Sequence, residues 1–285
     1  MDKCKTLTPA VRHITLDKGT EFPGSGEYCN EKGKGTYLCR GCGLALYRGD
    51  AKFQSSCGWP SFDDEIAGAV LHLPDKDGRR TEIVCSRCQG HLGHVFSGEG
   101  YTARNIRHCV NSLSIDFVKD EKILDSEEAI FAGGCFWGVQ YYLDKLPGVV
   151  KAEAGYTGGY LMNPGYHDVC HGNSGHLEAV RVIYDPARLD YKTLAKYFFE
   201  IHDPTQLDGQ GPDIGPSYLS AVFYYNEDQK KNLEELIQEL REKGFTLATQ
   251  LREASVFWKA EEEHQSYYAK HKQTPYCHHR VMRFG

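Results

Sequence analysis

The sequence predicts a two-domain fold, with a mostly antiparallel β domain followed by an α/β or α+β domain. The chain has 285 residues, which is typical of two domains that each bury a core. Short β-prone runs separated by turns fill the first part, whereas strands and helices alternate in the second. Residues 119–128 are highly charged and separate the two parts, so we expect a domain at 1–118, a linker at 119–128 and a domain at 129–285.

The β-prone runs of the first domain are short and rich in aromatic and β-branched residues. They are Gly35–Cys39, Thr81–Cys85 and Ser112–Phe117. Gly-containing turns interrupt them at short intervals, which favours an antiparallel arrangement.

In the second domain, apolar runs and helical periodicity follow one another. Strands are predicted at Glu128–Gly133, Leu177–Tyr184 and Tyr218–Tyr225, and helices after Gly138 to about Leu146, at Tyr191–Ile201 and at Glu227–Lys243. In the last of these helices the apolar residues recur at helical spacing, and Gly244 provides the stop signal.

Composition argues against several classes of protein. The formal net charge is −6, without the basic surface that nucleic-acid binding usually needs, so we expect no nucleic-acid partner. No apolar run approaches the roughly 20 residues that span a bilayer, so we expect no membrane insertion. Lys3 and Lys5 near the N-terminus precede no apolar core, so no secretion signal is predicted and a cytoplasmic location is expected.

Cysteine is the most informative residue type in this chain. There are eleven cysteines, an odd number that argues against a purely structural disulfide framework. In a reducing compartment such residues are more often metal ligands or redox catalysts.

Two CxxC pairs, Cys39–Cys42 and Cys85–Cys88, predict a metal site. Four thiolates complete the tetrahedral shell of Zn²⁺ and leave no open position, so we expect one structural zinc ion. A thioredoxin-like dithiol is the alternative, but neither pair lies at a strand-to-helix junction of a βαβ pattern.

Cys109 is a candidate reactive cysteine. Arg107 lies two residues before it, histidines precede it in the sequence, and Asn111 would share its face of a strand. Nearby positive charge stabilises a thiolate. From these residues alone, a buried structural cysteine with a polar histidine network is an equally good interpretation.

The sequence around Cys109 resembles the B-type, R-epimer-specific methionine sulfoxide reductases over about residues 9–118. The matching segments are Arg107-His-Cys109-Val-Asn111, His91-Leu-Gly-His94-Val-Phe96, Ser56-Cys57-Gly-Trp59-Pro60-Ser-Phe62 and both CxxC pairs. The resemblance implies that Cys109 is the nucleophile, that Cys57 resolves it and that Trp59 lines the methyl pocket. It also implies that His91, His94, Arg107 and Asn111 are polar site residues.

The chain departs from this family at two places. Ser97-Gly98-Glu99 stands where the family usually has Pro-Asp-Gly after the Phe, so the aspartate of that loop is absent and Glu99 is the nearest carboxylate. His108 stands where the family usually has Tyr. These changes concern the local tuning of pKa.

Cys135 is the second candidate reactive cysteine, at a predicted strand-to-helix junction. Free amides and the helix dipole at a helix N-terminus favour a thiolate, and Phe136 and Trp137 would form an aromatic wall suited to a thioether methyl group. Gly134-Cys-Phe-Trp-Gly138 resembles the A-type, S-epimer-specific methionine sulfoxide reductases, and the likeness extends over about residues 128–280.

This second resemblance assigns further roles. It implies that Glu178 donates the proton to the sulfoxide oxygen, that Tyr166, Asp213 and Tyr218 shape the polar side of the pocket, and that Cys277 resolves the intermediate. From its strand-like surroundings alone, Glu178 would more often face solvent.

Together the resemblances imply an enzyme that reduces both epimers of methionine sulfoxide, free or in proteins, through a sulfenic acid and an intramolecular disulfide recycled by thioredoxin or a similar dithiol. A zinc-dependent redox sensor and a general disulfide oxidoreductase are the alternatives. Cys4, Cys29 and Cys170 receive no role.

Overall fold

The computed structural model describes residues 6–119 and 122–284. Two compact units share the chain: one is Leu7–Glu127, and the other is mainly Glu128–Gly285. Residues 123–126 pack onto the first unit, where the Ser126 hydroxyl donates to the Gly43 carbonyl at 2.9 Å and Ile123 is buried. The limits 1–118, 119–128 and 129–285 stay a prediction.

The first unit contains one short helix and nine strands among its described residues. These are α1 (Pro9–Thr15), β1 (Gly35–Cys39), β2 (Ala45–Arg48), β3 (Lys52–Phe53), β4 (Ser61–Phe62), β5 (Val70–Pro74), β6 (Thr81–Cys85), β7 (His91–Ser97), β8 (Ile106–Val110) and β9 (Ile115–Lys119). Strands β2-β1-β9 form one sheet, and β3-β4-β8-β7-β6-β5 form a second. Neighbouring strands in both sheets pair antiparallel, as predicted.

An aromatic core lies within this unit. Tyr47 stacks on Phe62 with ring centroids 4.3 Å apart, and Tyr37 packs edge-on against Phe62 at 4.9 Å. All three rings have no exposed surface. Burying such large apolar rings stabilises each sheet against the other by the hydrophobic effect.

The second unit combines a mixed sheet with helices. Its elements are β10 (Glu127–Gly133), α2 (Phe136–Leu143), β11 (Val149–Thr157), α3 (Tyr166–Cys170), β12 (Leu177–Tyr184), α4 (Tyr191–Ile201), β13 (Gly209–Gln210), β14 (Asp213–Ile214), β15 (Ser220–Tyr224), α5 (Glu227–Glu242), β16 (Gln250–Glu253), β17 (Trp258–Lys259) and α6 (Tyr267–His271). The large sheet has the order β16-β15-β10-β12-β11-β17, and β15 and β16 pair in parallel. The predicted fold class, antiparallel β followed by mixed α/β, is confirmed.

The long helices of this unit begin at capping residues and bury one face. The Asp190 side chain caps α4 by accepting from Thr193 N at 2.9 Å, and Asn226 caps α5 by accepting from Gln229 N at 2.8 Å. Such caps satisfy amides that lack a partner within the helix. The apolar residues that recur at helical spacing in α5 are all buried: Leu233, Leu236, Ile237 and Leu240.

Some elements are shorter than the sequence suggested. Helix α2 ends at Leu143 rather than near Leu146, because the residue before Pro147 disfavours helical geometry. Residues Ser112–Ser114 form a 3-10 turn, so β9 begins only at Ile115. Tyr218 closes a 3-10 turn that starts at Pro216, and β15 follows it.

Candidate active sites

The two CxxC pairs meet in space at the ends of two strands. Cys39 ends β1 and Cys85 ends β6, and each partner cysteine lies in the turn that follows. The Cys39 and Cys88 sulfurs are 3.5 Å apart, as are those of Cys42 and Cys85. All four sulfurs lie within 4.8 Å of one another. A tetrahedral ion with sulfur ligands at about 2.3 Å would separate the sulfurs by roughly 3.8 Å, so the cluster fits a metal site.

Strand β8 places Cys109 beside two other strands. Cys109 pairs with Ser61 of β4 on one side and with His94 of β7 on the other. The loop before β4 brings the Cys57 sulfur to 3.9 Å from the Cys109 sulfur. The resolving pair expected from the sequence is therefore nearly in contact in the reduced protein.

The two thiol groups of this pair differ in pKa. The hydrogen bond between them, with further donation from the Ser55 hydroxyl at 3.0 Å, lowers the pKa of Cys57 to about 4. The same contact, together with burial, raises the pKa of Cys109 above its ordinary value, while the Arg107 charge acts in the opposite direction. The pair therefore holds one thiolate and one thiol, and Arg107 favours the negative charge on Cys109.

The side chain of Arg107 is fixed by Glu99. Its Nε and Nη2 donate to the Glu99 carboxylate at 2.7 and 2.9 Å, and its guanidinium lies 4.5 Å from the centre of the Phe96 ring. The remaining nitrogen, Nη1, is buried without a hydrogen-bond partner among the described residues. Glu99 thus provides a carboxylate in the loop where Ser97 and Gly98 depart from the family pattern.

A cavity of about 120 Å³ opens beside Cys109. The residues that line it are Thr20, Trp59, Arg80, Gly93, His94, Phe96, Cys109 and Asn111. His94 is held by the Asp75 carboxylate at 2.6 Å, and the Asn111 amide donates to the Leu92 carbonyl at 3.1 Å. His91 does not line the cavity; it is buried and hydrogen-bonded to Glu82 at 2.7 Å.

Cys135 occupies the N-cap of α2, directly after β10, as the sequence indicated. The expectation that the helix terminus would favour its thiolate is wrong for the resting protein. A backbone hydrogen bond at Trp137 lowers the thiol pKa, but burial and the neighbouring Glu178 outweigh it, so the pKa of Cys135 is raised. The thiol is only 7% exposed, and desolvation penalises its charged form.

Glu178 lies on β12 and points into the protein rather than to solvent. It is 1% exposed, and its Oε2 accepts a hydrogen bond from the backbone amide of Phe136 at 3.0 Å. Burial raises the pKa of this carboxyl to about 8. Glu178 is therefore mostly protonated at neutral pH and can donate its proton next to Cys135.

Two tyrosines and an aspartate surround this carboxyl. Burial, with a contribution from Glu178, raises the pKa of Tyr166 and of Tyr218, so both hydroxyls remain hydrogen-bond donors. Asp213 accepts from the Tyr276 hydroxyl at 2.9 Å, and its other oxygen is buried without a partner among the described residues.

The aromatic residues after Cys135 differ in their packing. Phe136 is fully buried in the core of the unit. Trp137 stacks on Tyr267 with ring centroids 3.8 Å apart, and its indole nitrogen is buried without a partner among the described residues. The indole therefore offers a fixed apolar face beside the thiol.

Cys277 belongs to the same apolar cluster as Cys135. Burial and the nearby Asp213 raise the pKa of the Cys277 thiol to about 12, and the thiol sulfur lies 3.0 Å from Nδ1 of His278.

Three residues of this site were not predicted from the sequence. His278 and Tyr276 flank Cys277 in the chain, and Glu261 accepts hydrogen bonds from the Tyr156 hydroxyl and from the Tyr166 amide.

The remaining cysteines belong to neither of these pairs. Cys29 donates to the Gly58 carbonyl at 3.1 Å, and Cys170 is exposed at the end of α3. Cys4 falls outside the described residues.

His108 faces away from Cys109, toward Tyr47 and Glu65. Its imidazole therefore belongs to a polar network in the core, as in the structural interpretation of this segment.

The fold and these sites define a two-domain thiol enzyme, in which each domain holds a cysteine next to an acid or a cation and near a second cysteine. The chain belongs to the peptide methionine sulfoxide reductase family: the model of that family matches residues 127–284, and a SelR domain matches residues 7–119.

Relatives and a solved structure agree with this assignment over the second domain. The peptide methionine sulfoxide reductase MsrA of Nocardia farcinica is 45% identical over 157 residues, covering 54% of this chain and 90% of the relative. That of Saccharolobus solfataricus is 42% identical over 152 residues, covering 53% and 86%. The reduced form of Mxr1 from Saccharomyces cerevisiae superposes with a TM-score of 0.51 at 32% identity, covering 54% of this chain and 92% of that one.

The two domains together imply reduction of both epimers of methionine sulfoxide, the S epimer by the MsrA domain and the R epimer by the SelR, or MsrB, domain. Over the parts of the chain that are described, no helix combines the length and apolar character needed to cross a bilayer.

Proposed function

We propose that Cys135 and Cys109 are the two nucleophiles and that each reduces one epimer by the same chemistry. An acid protonates the sulfoxide oxygen, the cysteine sulfur attacks the sulfoxide sulfur, and the thioether leaves behind a cysteine sulfenic acid. A second thiol then condenses with the sulfenic acid to form a disulfide and water. Cys277 serves Cys135 in this step, and Cys57 serves Cys109.

The observation that carries this proposal is the position of Glu178. Its carboxyl is buried, has a pKa of about 8 and is hydrogen-bonded to the amide of the residue that follows Cys135. A protonated carboxyl in this place can transfer its proton to a sulfoxide oxygen while Cys135 attacks the sulfur. Tyr166 and Tyr218 donate hydrogen bonds to that oxygen, Asp213 completes the polar side, and Phe136 and Trp137 bound the apolar side.

In the first domain, the roles rest on a different set of contacts. Trp59 and Phe96 line the cavity beside Cys109 and would contact the substrate methyl group. Arg107, whose Nη1 is unpaired among the described residues, partly offsets the rise in the Cys109 pKa caused by Cys57 and by burial, and so favours formation of the attacking thiolate. His94 and Asn111 supply polar contacts from the cavity wall, and the His91 ring packs against the His94 ring with centroids 5.5 Å apart.

The four-cysteine cluster would hold one Zn²⁺ through Cys39, Cys42, Cys85 and Cys88. A four-thiolate shell supplies structural cross-linking and leaves no site for a substrate. The surplus of reduced cysteines fits a reducing compartment, and we place the protein in the cytoplasm on that ground.

An external dithiol must restore both disulfides. We propose thioredoxin or a similar dithiol protein as the reductant, since thiol–disulfide exchange returns both cysteines of a pair to the reduced state. Free methionine sulfoxide and oxidised proteins are both proposed substrates.

The test separates the two epimers and the two cysteines. Resolved R and S sulfoxides of a methionine peptide are assayed with the parent, Cys109→Ser and Cys135→Ser proteins and a dithiol reductant. We expect Cys109→Ser to lose only R activity and Cys135→Ser only S activity. Retention of both activities in both variants would refute the nucleophile assignments. A parent that is oxidised stoichiometrically without turnover would favour a redox sensor instead.

A further inference from the structure

The histidine that follows Cys277 is buried and contacts both the thiol and the strand that leads to Cys135. His278 is 2% exposed. Its Nδ1 lies 3.0 Å from the Cys277 sulfur, and its Nε2 lies 2.7 Å from the carbonyl oxygen of Gly133, at the end of β10. The imidazole therefore bridges the resolving cysteine and the segment that carries the nucleophile.

These two contacts fix the proton positions on the ring. A carbonyl oxygen can only accept, so Nε2 must carry a hydrogen and donate it to Gly133. Burial lowers the pKa of His278, so the ring is neutral and Nδ1 has a free lone pair. The Cys277 thiol, which burial and a hydrogen bond to Asp213 keep protonated, lies 3.0 Å from this nitrogen and can donate its hydrogen to the lone pair.

Residues around His278 hold its imidazole ring in place, and Gly138 leaves the space that the ring occupies. A Cβ on Gly138 would come within 2.2 Å of the His278 Nδ1, and a Cβ on Gly134 would clash with Gln210 at 2.3 Å. The Tyr142 hydroxyl donates to the His278 carbonyl at 3.3 Å, and the Gln210 amide donates to the Cys277 carbonyl at 3.4 Å. The second glycine of Gly-Cys-Phe-Trp-Gly thus provides the space in which the imidazole sits.

We infer that His278 is a catalytic residue of disulfide formation, acting as the general base that deprotonates Cys277. The inference rests on the proposed function, in which Cys277 attacks the sulfenic acid of Cys135. His278 Nδ1 takes the thiol proton, and the Cys277 sulfur attacks the Cys135 sulfur. The sulfur–sulfur bond forms as the sulfur–oxygen bond of the sulfenic acid breaks. The departing hydroxide takes the proton from His278 and leaves as water.

The base is needed because Cys277 is buried. A thiol with a raised pKa holds almost no thiolate at neutral pH, and the thiolate is the nucleophile. Asp213 is the other acceptor near this thiol, but a carboxylate is ordinarily a much weaker base than a neutral imidazole near pH 7.

The experiment resolves the two chemical steps in the full-length protein. Reduced enzyme is mixed with the S sulfoxide of a methionine peptide without reductant, and samples are quenched over time with a sulfenic-acid trap and a thiol-alkylating reagent. Released methionine peptide reports the first step, and the Cys135–Cys277 disulfide, measured by peptide mapping, reports the second. The variants are His278→Gln and the matched control His279→Gln, which alters the exposed neighbouring histidine.

We expect His278→Gln to slow disulfide formation at least 10-fold relative to methionine release, with trapped sulfenic acid on Cys135, in keeping with the roughly 10²–10⁴-fold effect of general bases. His279→Gln should behave as the parent. Equal ratios of the two rates in parent and His278→Gln would overturn the inference. A parent that forms no Cys135–Cys277 disulfide would instead refute the proposed resolving pair.

A second variant covers a folding defect in His278→Gln. His278→Ala leaves a space the size of the ring beside Gly138, and added imidazole can occupy it. If imidazole restores disulfide formation in His278→Ala, the base assignment is supported; if imidazole gives no increase while methionine release proceeds, it is overturned.

Discussion

Glu178 and Phe136 are joined by a hydrogen bond of 3.0 Å from the Phe136 amide to the Glu178 carboxyl, directly beside Cys135. Glu178→Gln keeps an acceptor for this amide but has no acidic proton. We expect S-sulfoxide reduction to fall by about 10²-fold or more, within the usual range for a general acid. R-sulfoxide reduction in the same protein is the internal control, and full S activity in the variant would remove the assigned role.

The pH dependence of the S activity follows from the same carboxyl. Because the pKa of Glu178 is raised to about 8, the acid form is lost as the pH rises through 8, and S-sulfoxide reduction should decline there.

The folded state binds the Glu178 proton more tightly than the unfolded state, so the free energy of unfolding should decrease as the pH rises between about 4.5 and 8. Thermal unfolding of the parent and of Glu178→Gln over this range measures the effect, and identical pH dependence in both would contradict it.

Gly93 lies against the backbone of the other nucleophile. Its φ is +152°, and a Cβ there would come within 1.9 Å of the Cys109 carbonyl oxygen. Gly93→Ala should therefore distort β8 and reduce R-sulfoxide reduction by at least about 10-fold, the equivalent of roughly 1.4 kcal/mol. Gly68→Ala, at a positive φ with no atom near the new Cβ, is the matched control and should retain most R activity. Steady-state rates with the R epimer decide between them.

Cys57→Ser should separate the first chemical step from recycling in the first domain. The variant can still form methionine once, because Cys109 remains, but it cannot form the disulfide that thioredoxin reduces. We expect one equivalent of methionine from the R epimer and loss of thioredoxin-driven turnover. Cys29→Ser is the control, since the Cys29 thiol donates to the backbone carbonyl of Gly58. Undiminished turnover with thioredoxin in Cys57→Ser would show that another thiol resolves Cys109.

Removal of the metal should destabilise the first domain. We expect native mass spectrometry to find about one zinc ion per chain in the parent and none in Cys42→Ser. The midpoint of unfolding of the first domain should also fall, because a structural zinc site contributes directly to folding free energy. Cys170→Ser changes an exposed cysteine of the second domain and should keep the metal. A metal-free parent with four titratable thiols would rule out the site.

Local pattern was sufficient for much of the second domain. Helix Tyr191–Ile201 and strand Leu177–Tyr184 have the bounds that the sequence predicted, because the helix is amphipathic and is capped by Asp190, and the strand is a nearly continuous apolar run. The four-cysteine cluster could be predicted equally well, since the two CxxC pairs provide all four thiol groups.

The electrostatics of the sites depended on tertiary neighbours and could not be predicted in the same way. The helix terminus at Cys135 favours a thiolate, but the burial that reverses the effect comes from packing around it. The pairing of Arg107 with Glu99 rests on the course of a loop, and the contact of His278 with Gly133 joins residues far apart in the chain. The alternation of side chains along a strand did not decide whether Glu178 faces solvent or the protein interior. The fold alone decides between the two.

The cysteine cluster has a further consequence for the chain that it encloses. Cys42 and Cys85 meet through their sulfurs, so with a metal bound residues 43–84 form a closed ring. Cys57 lies within that ring, and its sulfur is 3.9 Å from that of Cys109. A closed ring explores a smaller volume than an open chain. A bound metal would thereby raise the effective concentration at which the Cys57 thiol meets an oxidised Cys109.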